Sequence, residues 1–370
     1  MAAESGSPGL KALILVGGFG TRLRPLTFTK PKPLVEFANL AIVLHQIEAL
    51  AQVGVTEVVL AIGFKPEAIN ARVPEIEKKY GVKVTVSLEE TPMGTAGPLA
   101  LAREHLKTPT DEPFFVFNSD VTCEYPLADL LAFHKAHGKE GTIMVTQVKD
   151  PSKYGVVVYG EDGRIERFVE KPTQWVGDRI NAGLYIFSPS ILARIPDAPT
   201  SIEREVFPVM AGEGNLFAMD LPGYWMDIGQ PKDYLTGSVM HLASLAKRAP
   251  HRLATGEGIK GNVLVHESAT IGAGSVVGPD VIIGEGVVVG AGVRLQRCTL
   301  LQGAIVKDHA FVKDSIIGWN STLGAWTRVE GSSVLGEDVQ LAEGQTLNGT
   351  IVLPHKGVKD SWREPGKIIM

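Results

Sequence analysis

The residues best equipped for chemistry crowd into one short stretch near the amino terminus. An apolar run over residues 13–16 breaks at Gly17, Gly18, Phe19 and Gly20, then Thr21. Arg22, Arg24, Lys30 and Lys32 follow within eleven residues. A glycine turn after a parallel strand lets bare backbone N–H groups approach phosphate oxygens. The spacing is neither GxGxxG nor GxxxxGK[ST], and Gly-Gly-x-Gly alone describes a plain tight turn equally well. Four cations beside such a turn favour a polyanion, for which a nucleoside triphosphate is the natural candidate.

The surrounding elements must place that turn. Short apolar runs at residues 13–16, 57–62, 82–88 and 114–118 alternate with helix-length segments at 42–53, 66–80 and 97–106. Strands alternating with helices predict a parallel sheet covered on both faces. Further strands are expected at 142–148, 155–159, 165–170, 182–187 and 216–219, then a closing helix over 231–247. The fold class is α/β, an open mixed but mostly parallel Rossmann-like sheet with extra strands. Asp120 stands just past the apolar run 114–117, at the carboxyl edge where open sheets bind ligands. A helix cap or turn is the bland alternative for it, and a turn for Asp227.

Glycine marks a change of rules. Seventeen of the 41 glycines fall between Gly256 and Gly349. Apolar residues recur every six positions at Ile259, Val265, Ile271, Val277, Ile283, Val289, Leu295 and Leu301. The register then slips by one to Val306 and Val312, and again to Ile317, Leu323, Val329, Leu335, Leu341 and Leu347. Sustained hexads predict a β-helix whose apolar residues point into a narrow coil. The expected divisions are a flexible tail (1–10), a catalytic domain (11–240), a linker (241–258) and the hexapeptide coil (259–370).

Composition excludes several classes. The chain has 370 residues, 44% of them hydrophobic and 21% charged, which is not a disordered composition. A net charge of −5 gives no basic field for nucleic acid or an anionic membrane. Cys123 and Cys298 cannot form a disulfide framework or a CxxC metal knuckle. Neither a secretory h-region nor a run of about 20 apolar residues is visible, so the cytosol is expected. His134 and His137, at i, i+3, are read as exposed helix positions rather than metal ligands. Trp319 and Trp326 are expected to pack or to line subunit contacts.

The stretch from Leu15 to Leu34 resembles the signature of the sugar-nucleotide pyrophosphorylases, which join a nucleoside triphosphate to a sugar 1-phosphate. Matching segments follow in family order: 90–99, Asn118-Ser119-Asp120, Lys153-Tyr154-Gly155-Val156, Glu170-Lys171-Pro172, Asn181-Ala182-Gly183 and 225–229. The likeness spans nearly the whole chain, and it implies that the coil is a left-handed parallel β-helix. It also implies transfer of GMP from GTP to mannose 1-phosphate, with another nucleotide or hexose 1-phosphate as the alternative. A nucleotide-sugar glycosyltransferase, a hexapeptide acyltransferase and a non-catalytic regulatory paralogue are more distant readings. By resemblance, Arg22, Lys32 and Lys171 are catalytic, acting on the phosphates and the attacking sugar phosphate. Gly17, Gly18, Gly20, Thr21, Glu89, Gly94, Thr95 and Asp120 would bind the nucleotide. Gly155, Glu170, Lys171, Asn181 and Asp227 would bind the sugar. Asp120 and Asp227 together would suit Mg²⁺, which takes one or two carboxylates plus phosphates and water. Glu89 is a candidate base reader, because guanine offers N1–H and N2–H₂ donors to a carboxylate while related thymidylyl enzymes carry glutamine there. The coil's sheet edges predict a homo-oligomer, and a regulatory paralogue is a candidate partner.

Overall fold

The computed structural model describes residues 9–63, 66–108 and 110–370. The tail expected over residues 1–10 therefore lies outside the described residues as far as residue 8. Contacts divide the chain into two compact units: residues up to Gly18 with Val43–Trp225, and Phe19–Ile42 with Met226–Met370. The second unit thus combines the basic stretch with the coil, a grouping that does not follow the boundary expected at residues 240–259.

The first unit is built on a mixed sheet. Strand Leu10–Val16 pairs in parallel with Val55–Ile62 on one side and Phe114–Asn118 on the other, and Val55–Ile62 pairs in parallel with Lys83–Leu88. The chain order across this half is third, second, first, fourth, so the winding reverses between the first strand and Phe114–Asn118. That is the switch point at which open sheets leave a crevice beyond the strand carboxyl ends. The other half is mostly antiparallel, although Leu216–Asp220 joins Gly141–Gln147 in parallel. Arg179–Phe187 pairs antiparallel with both Phe114–Asn118 and Gly141–Gln147. Beyond it, Gly155–Tyr159 pairs with Ile165–Glu170. Leu13, Val59, Val116, Tyr185 and Phe187, all fully buried, belong to one core cluster on this sheet.

Two predicted helices are divided. Residues 66–80 form Pro66–Asn70 and Val73–Tyr80. Pro74 lacks an N–H and belongs in a first helical turn, so it starts a new helix rather than continuing one. Residues 97–106 form Gly97–Leu101 and Arg103–Leu106.

In the second unit the coil winds three parallel sheets, each strand pairing with the one a full turn later. Val263 pairs with Val281, Val281 with Cys298, and Ile316 with Val334, so turns of 18 and 17 residues alternate irregularly. The short turns account for the slips, and they place the first slip one step earlier than the hexads suggested. Leu300, not Leu301, joins the coil interior with Leu295 and Val306. Leu301 faces outward, into a second apolar cluster. Ile271 is also more exposed than expected, at 37%, because its strand has a sheet neighbour on one side only. Helix Pro231–Arg248 runs through the first half of the expected linker, with His241, Leu242 and Leu245 buried. Its Tyr234 and Leu242 pack with Leu23, Leu26 and Phe37 of the basic stretch over the outer coil residues Leu264, Ile282 and Ile316.

Candidate active site

Within the first unit, the parallel strands end together. Leu15 is level with Asn118, Val16 with Ile62, and Ile62 with Leu88. Gly17 and Gly18 therefore leave the sheet at the same edge as Asp120 and Glu89. Gly18 has φ +92°, a conformation that side chains resist. The Glu89 carboxylate lies over the strand ends, with Oε2 3.8 Å from where a Cβ on Gly17 would stand. Its Oε1 accepts from the Met93 N–H, which fixes the head of the carboxylate. Gly94 has φ +74°, and a Cβ there would meet the Thr200 carbonyl oxygen at 2.4 Å. Thr95 sits beside it, but its hydroxyl is engaged within the fold. It donates to Glu203 at 2.5 Å and accepts from the Ile202 N–H at 2.9 Å.

Sequence reasoning overlooked Gln46. This fully buried side chain donates to the carbonyls of Asn118, at 2.8 Å, and Val121, at 3.3 Å, which flank Asp120. The available signal was a polar residue four positions from both Ile42 and Leu50, on the apolar stripe of helix Ile42–Gln52.

Of the residues matched to sugar binding, Gly155, Glu170, Lys171 and Asn181 lie toward the antiparallel half. Gly155 is level with Glu170, and a Cβ on Gly155 would come within 2.9 Å of a Glu170 carboxylate oxygen. Lys171 adopts φ +46°, unusual for a residue with a Cβ, and its N–H donates to the Tyr154 carbonyl. Its exposed ammonium lies 3.3 Å from Glu170. Asn181 is oriented internally: it donates to the Tyr185 hydroxyl at 2.8 Å and accepts from the Gly183 N–H at 2.9 Å. Burial raises the Tyr185 pKa well above the usual phenol range, so this hydroxyl stays protonated.

Within the second unit, Gly20 takes φ +62°, and its missing Cβ leaves room for Thr27 and Lys32, either of which would stand about 3 Å from it. Thr27 donates to the Gly20 carbonyl at 2.7 Å, closing the loop next to Thr21 and Arg22. Arg22 is 62% exposed at its side chain and lies 3.8 Å from the Asp227 carboxylate, itself 17% exposed. The other Asp227 oxygen accepts from the Gly229 N–H at 2.8 Å. Arg24 and Lys30 are engaged further along the stretch. Arg24 stacks over Phe28 at 4.7 Å, and Lys30 bonds Glu36 at 2.7 Å while stacking over Trp319 at 4.3 Å.

The histidines correct an expectation. His134 is buried, not exposed, and the hydrogen bonds form a directed ring. Lys139 N–H donates to His137 Nδ1, so His137 Nε2 carries the proton and donates to Thr142 at 2.7 Å. Thr142 then donates to His134 Nδ1, at 2.9 Å, and His134 Nε2 donates to Ser188, at 3.2 Å. Every position is filled only if both rings are neutral. Burial and the neighbouring His137 hold the His134 pKa down to about 4. In unfolded chain the ring titrates near 6.5, so between those values the unfolded state binds a proton that the native state refuses. Stability is complete above pH 6.5 and is lost as pH falls toward 4, by on the order of 3 kcal/mol. Thermal melts from pH 7.5 to 4.5 should show a steeper acid decline for wild type than for His134→Gln. Equal slopes would remove His134 as the source.

Comparisons with known proteins show the family of the chain. The chain matches the Nucleotidyl transferase family over residues 11–244 and the GMPPB C-terminal domain over residues 259–369. It is 59% identical over 362 residues to "Probable mannose-1-phosphate guanylyltransferase 1" of Oryza sativa subsp. japonica, covering 98% of this chain and all of that one. The chain belongs to the mannose-1-phosphate guanylyltransferase family. Members of this family are nucleotidyltransferases, and so is this enzyme. The zebrafish (Danio rerio) relative, "Mannose-1-phosphate guanylyltransferase catalytic subunit beta", is 57% identical over the same fraction of the chain. Among solved structures, HddC from Yersinia pseudotuberculosis is 29% identical with a TM-score of 0.52, matching 61% of this chain and 97% of its own. That protein has also been crystallised with GMP-PN.

Proposed function

We propose that this guanylyltransferase-family chain transfers GMP from GTP to mannose 1-phosphate, giving GDP-mannose and pyrophosphate, with Mg²⁺. A phosphate oxygen of the sugar ester attacks the α-phosphorus in line, and the bond to the β,γ-pyrophosphate breaks. The observation that carries this reading is the switch-point edge, where the Gly17 turn, Asp120 and the fixed Glu89 carboxylate lie at the ends of neighbouring parallel strands. The names of the full-length relatives supply the guanyl group and the mannose.

Each side chain has an assigned task. The Gly17–Gly20 backbone and Thr21 receive the phosphates, Arg22 and Lys32 neutralise charge on the α-phosphate and leaving pyrophosphate, and Lys171 steers the sugar phosphate. Glu170, Asn181, Gly155 and Asp227 are assigned to the sugar, Gly94 to the base pocket and Thr95 to the nucleotide. Asp120 and Asp227 are hard carboxylate donors suited to Mg²⁺. Among the described residues no group of three or more His, Cys, Asp or Glu side chains forms a metal site. The cation's remaining oxygens would then come from phosphates and water, as is usual for Mg²⁺. When bound, Mg²⁺ supplies charge neutralisation at the phosphates. The same reading takes residues 11–240 as the catalytic domain and 259–370 as a structural coil, with self-association and a regulatory paralogue as proposed partners. No helix among the described residues is long and apolar enough to cross a membrane; a cytoplasmic location is part of the proposal.

A pyrophosphate-release panel of four nucleoside triphosphates against three hexose 1-phosphates tests the assignment. Greatest turnover with GTP and mannose 1-phosphate is expected, and a clear preference for another pair overturns it. Glu89→Gln should erode the preference for GTP over dTTP by roughly ten- to a hundredfold, since an amide offers one acceptor and presents a donor where guanine needs a second acceptor. An unchanged ratio would remove Glu89 from base reading.

A further inference from the structure

The coil carries a clamp on the basic stretch, built around Glu36. One Glu36 carboxylate oxygen accepts from the Lys30 ammonium at 2.7 Å, and the other accepts from the Trp319 indole N–H at 2.7 Å. The Lys30 ammonium also lies 4.3 Å from the centre of the Trp319 ring, which closes the triangle. The Glu36 carbonyl accepts from the Tyr234 hydroxyl at 2.5 Å, and Asn39 donates to the coil carbonyl of Ile283 at 2.9 Å. Trp319 is only 3% exposed, and its own carbonyl accepts from Asp338 N–H within the coil ladder. Its indole is therefore a fixed point belonging to a rigid solenoid.

The clamp lies two residues from Lys32. Pro31 and Pro33 stiffen the intervening backbone, and Lys32 opens the short helix Lys32–Leu34. Lys32 in turn packs beside Gly20, whose carbonyl is tied to Thr27, and Arg22 follows two residues on. Buried charge-assisted bonds are directional and strong, whereas an apolar platform alone would let the loop slide. Preorganised cations matter most where the reaction redistributes phosphate charge.

We propose that Trp319, a coil residue, is a positioning residue for phosphate handling: through Glu36 and Lys30 it fixes the loop that presents Lys32 and Arg22 to the triphosphate. This rests on the assignment of that loop to the nucleotide phosphates. It gives the hexapeptide coil a part in the reaction.

Trp319→Phe keeps the ring under Lys30 and deletes the N–H donor, while Glu36→Gln keeps the shape and deletes the charge. Each should lower kcat/KM for GTP roughly tenfold, the loss expected for one charge-assisted hydrogen bond, with KM for mannose 1-phosphate changed by less than about twofold. The double variant should be no worse than the weaker single, because both act through one clamp. Wild-type kinetics in both singles overturns the proposal. So does a parallel loss for both substrates accompanied by a collapse in melting temperature, which would mark a purely structural role. If wild type is silent with GTP and mannose 1-phosphate, the proposed function fails rather than the clamp. GTP titration of the same proteins then decides: roughly tenfold weaker binding in both singles supports the clamp, and unchanged binding overturns it.

Discussion

Replacing Asp120 by asparagine is expected to lower kcat for pyrophosphate release by about a thousandfold while leaving the melting temperature nearly unchanged. The residue follows strand Phe114–Asn118 at the switch-point edge, half-buried, on a turn tied down by Gln46. The amide has nearly the same size, so little packing is disturbed. It lacks the negative charge that a hard divalent cation requires. Loss of charge stabilisation at a reacting phosphate costs far more than one surface interaction, and about 4 kcal/mol corresponds to a thousandfold. Steady-state kinetics at saturating GTP, mannose 1-phosphate and Mg²⁺ reads the effect. A loss of less than tenfold would mean that Asp120 is a turn residue, the bland reading its position also allows.

Much of this arrangement was legible in the sequence because it is periodic or local. Strand and helix alternation gave the parallel half of the sheet, and with it the edge that carries Gly17 and Asp120. The six-residue period gave the coil. What escaped was long-range or aperiodic. The Trp319–Glu36 hydrogen bond joins residues 283 positions apart, and neither residue's neighbours advertise the other. The grouping of residues 19–42 with the coil follows from such contacts. His134 was misjudged because its partners, Thr142 and Ser188, lie on strands that only folding brings to the helix. Leu301 was assigned inward because hexads assume equal turns, and one 17-residue turn is enough to rotate it out of the coil. Lys30 reads in sequence as one more cation for the phosphates, yet it is committed to Glu36.

Arg22→Ala should cost about a hundred- to a thousandfold in kcat, and Arg22→Lys should recover only a small part of it. Two interpretations of Arg22 compete, and magnitudes separate them. As half of an ion pair with Asp227, at 3.8 Å with the arginine largely exposed, it stabilises the fold by no more than about 1 kcal/mol. As a cation preorganised for the α-phosphate and the departing pyrophosphate, it is worth roughly 3–4 kcal/mol in the transition state, the scale of comparable arginines in phosphoryl transfer. A lysine keeps the charge but not the planar fork that engages two oxygens together, so restoring charge alone is insufficient. The measurements are kcat with saturating substrates and a thermal melt on the same preparation. A fall of two to three decades with the melting temperature within a few degrees fits the catalytic interpretation. A small kinetic loss with a matching drop in stability would reduce Arg22 to a tether for Asp227, and full recovery by lysine would show that its geometry is not used.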